Sequence, residues 1–330
     1  MDKYLIGIDL GGTYIKAHIF KDDATHTGFV EFKTPSGDSE TVIEKIIYSA
    51  EQLVEKYTDS KDFSEISGMG IGVPGTIDKT GKKIVFAPNL KWNNVDIVET
   101  LEKILPFPVY IENDANAAAL GEHFAGSAKN SDNFINITIG TGIGGGIFQN
   151  GHLITGNNHN AAEIGHMIIQ IDGLKCGCGN HGCYEKYAST TSLVTRVKDY
   201  LKISPPENID SPGFEIMNSV NNNIDLIEGK QIIEAADKGD KLAKLQLDKM
   251  IYYLAIGISN LIFIFNPEKI ILSGGITGRG SKFLNPLIDE INKMAPPASL
   301  ENFQIEIGKL GNMAGAYGAA SLALKKDIHE

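Results

Sequence analysis

The chain lacks the features that mark secreted, membrane-embedded or nucleic-acid-binding proteins. Cysteine is scarce, three in 330 residues, and all three fall within eight positions. Clustered, reduced thiols with no targeting segment point to the cytoplasm. Basic charge is outweighed, with 30 Lys and Arg against 41 Asp and Glu, and the net charge of −11 argues against nucleic acid and anionic membrane as partners. The longest apolar run, Tyr252 to Phe265, is interrupted by Gly257, Ser259 and Asn260 and is too short to span a bilayer. A strand begins by Tyr4, which leaves no room for a signal peptide. The phosphate loop Gly-x-x-x-x-Gly-Lys-Ser/Thr is missing as well. What remains is an ordinary globular composition, 42% hydrophobic and 22% charged. A chain this long can bury a large core and is expected to split into two domains.

Tyr4 to Asp9 reads as a buried strand that ends in the turn Gly11-Gly12-Thr13. Strands follow at Tyr14 to Phe20 and Phe29 to Phe32, then a helix over Thr41 to Lys56 with Val42, Ile46, Ile47, Leu53 and Val54 on one face. Met69 to Val73 and Val109 to Glu112 are further strands, and Ala115 to Phe124 is an Ala-rich helix. This order predicts an α/β fold, a mixed sheet flanked by helices. The pattern then restarts with strand Phe134 to Ile139, turn Gly140-Thr141-Gly142 and return strand Gly145 to Phe148. Asn150-Gly151 is a hairpin turn into His152 to Ile154. Ile8-Asp9-Leu10-Gly11 aligns with Ile137-Thr138-Ile139-Gly140, which suggests an internal duplication, two related domains across a cleft. Helices are expected over Glu185 to Lys202, Lys230 to Asp237, Lys241 to Phe265 and Ala314 to Lys325, with a strand at Lys269 to Leu272. Ser204 to Asn223 reads as loop or broken helix.

The cysteines form the segment Cys176-Gly-Cys178-Gly-Asn-His181-Gly-Cys183, followed at once by Tyr184-Glu185, with Glu163-Ile-Gly-His166 ten residues upstream. Three sulfur ligands on a glycine-rich loop plus one imidazole make a four-coordinate zinc site from Cys176, Cys178, Cys183 and His166. His181, inside the loop, is a competing ligand. The carboxylates Glu163 and Glu185 are not needed by a structural metal, so the metal reads as a brace for something else.

Three glycine clusters each follow an apolar strand: Gly11-Gly12-Thr13, Gly140 to Gly146, and Gly274-Gly275. Glycine after a strand lets backbone N–H groups approach an anion, and a hydroxyl such as Thr13 or Thr141 adds a donor. Plain tight turns are the alternative. Gly140 to Gly145 fits Gly-x-Gly-x-x-Gly by letter, but no helix follows, so a Rossmann reading fails. Asp9, beside the first turn, could hold Mg²⁺ at a triphosphate or cap the strand end. Lys16 could reach a phosphate or simply face solvent.

Taken in order, Asp9-Leu-Gly-Gly-Thr13, Gly70 to Gly75, Ala87-Pro-Asn89-Leu-Lys-Trp92, Glu112-Asn113-Asp114-Ala-Asn-Ala-Ala118, Ile139 to Gly146, Glu163-Ile-Gly-His166, Cys176 to Glu185 and Leu272-Ser-Gly-Gly-Ile276 resemble the ROK family of bacterial sugar kinases and sugar-responsive repressors. The resemblance covers essentially the whole chain, and its cysteine and Glu-x-Gly-His segments are the specific ones. It implies the actin-like (ribonuclease H-like) ATPase fold, two α/β domains with the active-site cleft between them. The implied division is residues 1–118 plus 313–330 as the smaller domain, and 119–312 as the larger one carrying the zinc loop. It further implies an ATP-dependent kinase acting on the 6-hydroxyl of a hexose, most like the glucokinases. N-acetylmannosamine kinase or another hexose kinase is an alternative, and a non-catalytic sugar-sensing regulator is one of a different class. The family's repressors carry an N-terminal helix-turn-helix; the first phosphate turn here begins at Gly11, which favours an enzyme. The family tends to form homodimers. The cysteine segment disfavours an actin-like structural protein.

Under that resemblance, Asp114 is the proton acceptor. It lies between a strand and a helix, where the helix N-terminus should keep its pKa low; a plain N-cap role accounts for the same sequence. Asn89, Asn113, Glu163 and Glu185 are sugar-hydroxyl partners. His166 binds zinc with one nitrogen and offers the other to the sugar. Gly11, Gly12, Thr13, Thr141 and Gly142 serve the ATP phosphates; Gly274, Gly275 and the region of Gly315 lie near adenosine.

Overall fold

The protein is described here from a computed structural model covering residues 3–36 and 38–324. The first half runs β1 (Tyr4–Leu10), β2 (Tyr14–Lys21), β3 (His26–Lys33), α1 (Ser39–Tyr57), β4 (Ile66–Val73), β5 (Thr76–Ile77), β6 (Ile84–Ala87), β7 (Trp92–Val95), α2 (Ile97–Glu102), β8 (Val109–Asn113) and α3 (Asp114–Ala125). The second half runs β9 (Phe134–Ile139), β10 (Ile143–Gln149), β11 (His152–Leu153), α4 (Glu185–Ala188), α5 (Thr190–Ile203), α6 (Phe214–Ser219), α7 (Gly229–Asp237), α8 (Lys241–Phe265), β12 (Lys269–Ser273), α9 (Ser281–Met294), β13 (Gln304–Ile307) and α10 (Ala314–Leu322).

Two five-stranded sheets share one plan, β3-β2-β1-β4-β8 and β11-β10-β9-β12-β13. In each, three strands form an antiparallel meander and two more add in parallel to the first. Asp9 pairs with Lys16, and Thr138 pairs with Gly144, so these two aligned residues occupy equivalent places, each on the first strand of its sheet and facing the second. The duplication glimpsed in four residues is therefore a repeat of whole-sheet topology.

Each sheet has its own apolar core. One includes Ile6, Ile8, Ile46 and Leu53, and the other includes Ile137, Leu254, Ile258 and Phe283. Between the sheets, α3 and α10 pack on each other; α10 lies on β1 and β4, and α3 on β9 and β10. This approach requires small residues. A Cβ on Gly318 would sit 1.7 Å from the carbonyl oxygen of Ala117, and one on Gly70 would sit 1.8 Å from that of Ala319. The Ala-Gly-rich sequence of α10 is thus set by the space available to it.

Several elements differ from the sequence expectation. The single helix expected over Glu185 to Lys202 is broken at Ser189, which is extended (φ −79°, ψ 162°) and caps the N–H of Ser192 with its hydroxyl. The final helix stops at Leu322; Lys325 lies outside the described residues. Ser204 to Asn223 contains one short helix, α6. The small sheet β5-β6-β7, α2 and β13 are short and carry few periodic residues, whereas α9 has Phe283, Leu287 and Ile291 at helical spacing but a proline, Pro286, inside it, which reads as a break. The apolar run ending at Phe265 belongs to a helix of 25 residues, long and apolar enough by length and composition to cross a bilayer. Its inner face, including Leu247, Leu254 and Ile258, is buried, as in a core helix.

Candidate active site between the two sheets

Asp9 is the penultimate residue of β1, Asp114 opens α3, and Glu163 precedes the turn Ile164–His166. The three carboxylates lie close enough for the charges of Asp9 and Glu163 to act on Asp114. The N-cap duty falls to Asn113: its Oδ1 accepts from the N–H groups of Ala115 at 2.9 Å and Asn116 at 3.3 Å, and its Nδ2 donates to the carbonyl of Gly75 at 3.2 Å. Asn113 is thereby largely committed to structure. Asp114 keeps one contact, Oδ1 accepting from the N–H of Ala115 at 2.9 Å.

A low pKa for Asp114 does not follow from this environment. Burial pushes it up from 3.8 to about 6, the Ala115 N–H opposes the rise, and the charges of Asp9 and Glu163 add to it. The residue retains an accessible face, and water there tempers the shift. The helix-terminus argument fails because surrounding protein and two like charges outweigh one local dipole. Burial also raises Asp9, while Lys16, its partner across β2, lowers it.

The glycine turns frame these acids. Gly11 N–H donates to the carbonyl of Tyr14 at 2.9 Å, leaving Gly12 and Thr13 exposed at the tip. Asn89 lies against Gly12: a Cβ there would be 3.3 Å from the Asn89 carbonyl oxygen. Gly140 N–H donates to the carbonyl of Gly142 at 3.0 Å, and Thr141 is exposed. Gly274 (φ 118°) packs on the backbone of Ile139, which sets the third glycine cluster beside the second. Gly275 faces open space, and Gly315 packs against the carboxylate of Asp9.

The cysteine segment closes one side. His166, Cys176, Cys178 and Cys183 bring one ligand atom each to within 4.8 Å of one another. Cys178 Sγ and Cys183 Sγ are 3.5 Å apart, and Cys176 Sγ lies 3.7 Å from His166 Nδ1. A tetrahedral zinc with Zn–S bonds near 2.3 Å requires ligand separations of about 3.8 Å, so the donor set fits that ion. Burial pushes the Cys176 thiol up to about 12, a penalty that a dication would reverse. His181 is exposed, stands in a β-bridge with Lys175, and is not among these four.

Glu185 joins this cluster to the second glycine turn. Its Oε1 is 3.1 Å from Cys176 Sγ and 4.0 Å from His166 Nδ1, while its Oε2 would be 2.6 Å from a Cβ on Gly142. Tyr184 anchors the segment: it is fully buried against Gly257 of α8, and its hydroxyl donates to the Leu254 carbonyl at 2.9 Å. Tyr184 and the buried pair Glu112–His159 went unnoticed as sequence, because an aromatic beside a motif and two residues 47 apart carry no local signal.

A two-lobed fold with acids and glycine turns between its sheets defines a class of phosphate-handling protein, and comparison narrows it. The ROK family profile matches residues 5–326, and the chain belongs to the ROK family. It is 33% identical to a glucokinase of Thermotoga maritima over 96% of both chains. It is also 33% identical to a xylose repressor of Caldicellulosiruptor bescii, over 97% of this chain and 78% of that one. Among solved structures, a ROK family glucokinase from Streptomyces griseus in complex with glucose and AMPPNP superposes with a TM-score of 0.82, at 32% identity over 97% of this chain and 99% of the other. The fold is the actin-like ATPase fold.

Proposed function

We propose that the chain is an ATP-dependent hexokinase that phosphorylates the 6-hydroxyl of a hexose, glucose foremost. The observation that carries this is Asp114: a carboxylate freed from capping, with its pKa raised to about 6, beside the acids Asp9 and Glu163. Such a group is mostly ionised at neutral pH yet is a better base than an ordinary aspartate. The hydroxyl oxygen attacks the γ-phosphorus, the bond to the β–γ bridging oxygen breaks, the proton passes to Asp114, and ADP leaves. Asn89, Glu163, His166 and Glu185 hold the sugar, with Asn113 contributing its remaining N–H. Gly11, Gly12, Thr13, Thr141 and Gly142 take the phosphates, Gly274 and Gly275 the nucleoside.

Mg²⁺ enters with ATP, and Asp9, with Lys16 near it, is the group suited to the metal–phosphate end. His166, Cys176, Cys178 and Cys183 would hold zinc, which would supply rigidity; with His166 Nδ1 facing Cys176, the Nε2 side of the imidazole would be left for the sugar. We assign the lobes as residues 1–118 with 313–330, the residues beyond 324 lying outside those described, and 119–312. We take the enzyme to be a cytoplasmic homodimer.

The xylose repressor's comparable identity keeps a sugar-sensing role as the second reading. Turnover decides between them. Purified protein with MgATP and a sugar panel including glucose and N-acetylmannosamine should release ADP with glucose; tight binding without phosphorylation of any sugar would favour the sensor.

A further inference from the structure

Glu112 is wholly buried in β8, one residue before the Asn113–Asp114 turn. Its Oε1 accepts from the Asn113 N–H at 2.7 Å and from Asn116 Nδ2 at 3.1 Å. Nε2 of His159 lies 3.0 Å from Oε2 and 3.2 Å from Oε1. The His159 and Glu112 side chains are 7% and 0% accessible. His159 arrives from the other half of the molecule, on the segment 154–163 that follows β11 and ends at Glu163. A second tie runs alongside, with Thr76 Oγ1 donating to Asn160 Oδ1 at 3.3 Å.

The segment needs such ties. His159 (φ 55°) and Ala162 (φ 62°) both stand in the left-handed region, uncommon for residues other than glycine. Internal support comes from the Ala161 N–H to the Thr155 carbonyl at 2.9 Å and a long contact of 3.4 Å from the His159 N–H to the Gly156 carbonyl. Two consecutive residues of the segment, His159 and Asn160, therefore reach across to the first half, three residues before Glu163. The hydrogen bond that the imidazole makes to Glu112, with the charges of Glu112 and Asp78, holds the His159 pKa above its ordinary value against the opposing effect of burial.

We propose that His159 is a positioning residue: its bond to Glu112 holds the segment bearing Glu163 in register with the β8–α3 turn bearing Asp114. The sugar-binding acid of one sheet is thereby set against the proton acceptor of the other. The catalytic consequence rests on the hexokinase reading; the structural one does not.

The test uses the full chain. His159→Gly suits the left-handed backbone and removes the ring; His159→Gln keeps an N–H donor of similar reach. Amide hydrogen exchange without substrate should accelerate over 155–163 and the first turn of α3 in His159→Gly, with the cysteine loop unchanged. The sugar KM should rise roughly tenfold to a hundredfold, with the ATP KM unchanged and kcat reduced less than KM rises, and His159→Gln should restore most of the loss. Unchanged exchange over 155–163 overturns the proposal, as does a lowered Tm with unaltered sugar KM. Should the wild-type chain phosphorylate no sugar, the hexokinase reading falls and exchange alone decides the latch. Should His159→Gly not fold, His159→Asn, which also tolerates the left-handed backbone but is too short to reach Glu112, makes the same contrast.

Discussion

The Cys176 thiol lies 3.1 Å from Oε1 of Glu185, so the cysteine cluster touches a carboxylate that no metal site requires. Whatever orders the cluster also orders that acid. Cys178 is the ligand to perturb, being exposed and not itself in contact with Glu185. Cys178→Ser, or zinc removal by a chelator, is expected to lower zinc from about one per chain to near zero and to weaken sugar binding roughly tenfold to a hundredfold. ATP affinity should barely move. Metal analysis beside calorimetric sugar titration checks this, and a zinc-free protein with full sugar affinity would contradict the brace.

Asp114 should set the acid limb of turnover. Its pKa is raised to about 6, so the basic form is lost as pH falls through that value, well above the ordinary 3.8 of an aspartate. A pH profile of kcat/KM should show this limb. Asp114→Asn should lower kcat by a factor on the order of 10²–10⁴ while sugar still binds. Linkage gives a second sign. A raised carboxylate pKa means that the native state binds more protons than the unfolded chain between pH 3.8 and about 6, so stability falls as pH rises through that window. Discounted for the residue's accessible face, the cost above the window is about 1 kcal/mol. Asp114→Asn should therefore raise Tm at pH 8 and leave it unchanged at pH 3.5; denaturation at both pH values reads the difference.

Gly318 tests the crossing of α3 and α10. In an unconstrained helix, Gly→Ala gains about 1 kcal/mol. Here the added Cβ would meet the Ala117 carbonyl oxygen at 1.7 Å, with backbone rather than a flexible side chain in the way. Gly318→Ala is expected to destabilise by about 3 kcal/mol and to reduce activity, because α10 also sets Gly315 against Asp9. Urea denaturation gives the sign directly.

The frame is legible where pattern and length agree. Phe134 to Ile139 alternates and is a strand; Lys241 to Phe265 is periodic and ends where Asn266-Pro267 must stop it. Ser189 is opaque because a serine inside a periodic run looks like a helix interior until its hydroxyl is seen capping Ser192. The cysteine spacing announces its cluster, since three thiols and one imidazole within eighteen residues leave few other uses. The state of Asp114 is hidden. Its local signal, a helix N-terminus, points to a low pKa; what reverses it is burial first, then the charges of Asp9 on β1 and Glu163 in the segment before His166, none of which the local sequence displays. The role of Asn113 is equally invisible, because Asn-Asp before a helix offers two caps and only the fold chooses between them.

Gly142 makes the last prediction, and it crosses the boundary between nucleotide and sugar. Under the proposed phosphate-binding role of its turn, its substitution would be expected to act on ATP. Yet a Cβ on Gly142 would fall 2.6 Å from Oε2 of Glu185, the far end of a side chain that can move. Gly142→Ala should therefore displace Glu185 and raise the sugar KM, with Glu185→Gln alone raising it as well. If the alanine acts through Glu185, the double variant should be no worse than the poorer single, a strongly non-additive cycle. Additive losses, or a change confined to ATP, would show that the turn and the acid work independently. Steady-state kinetics with each substrate varied in turn separates these outcomes.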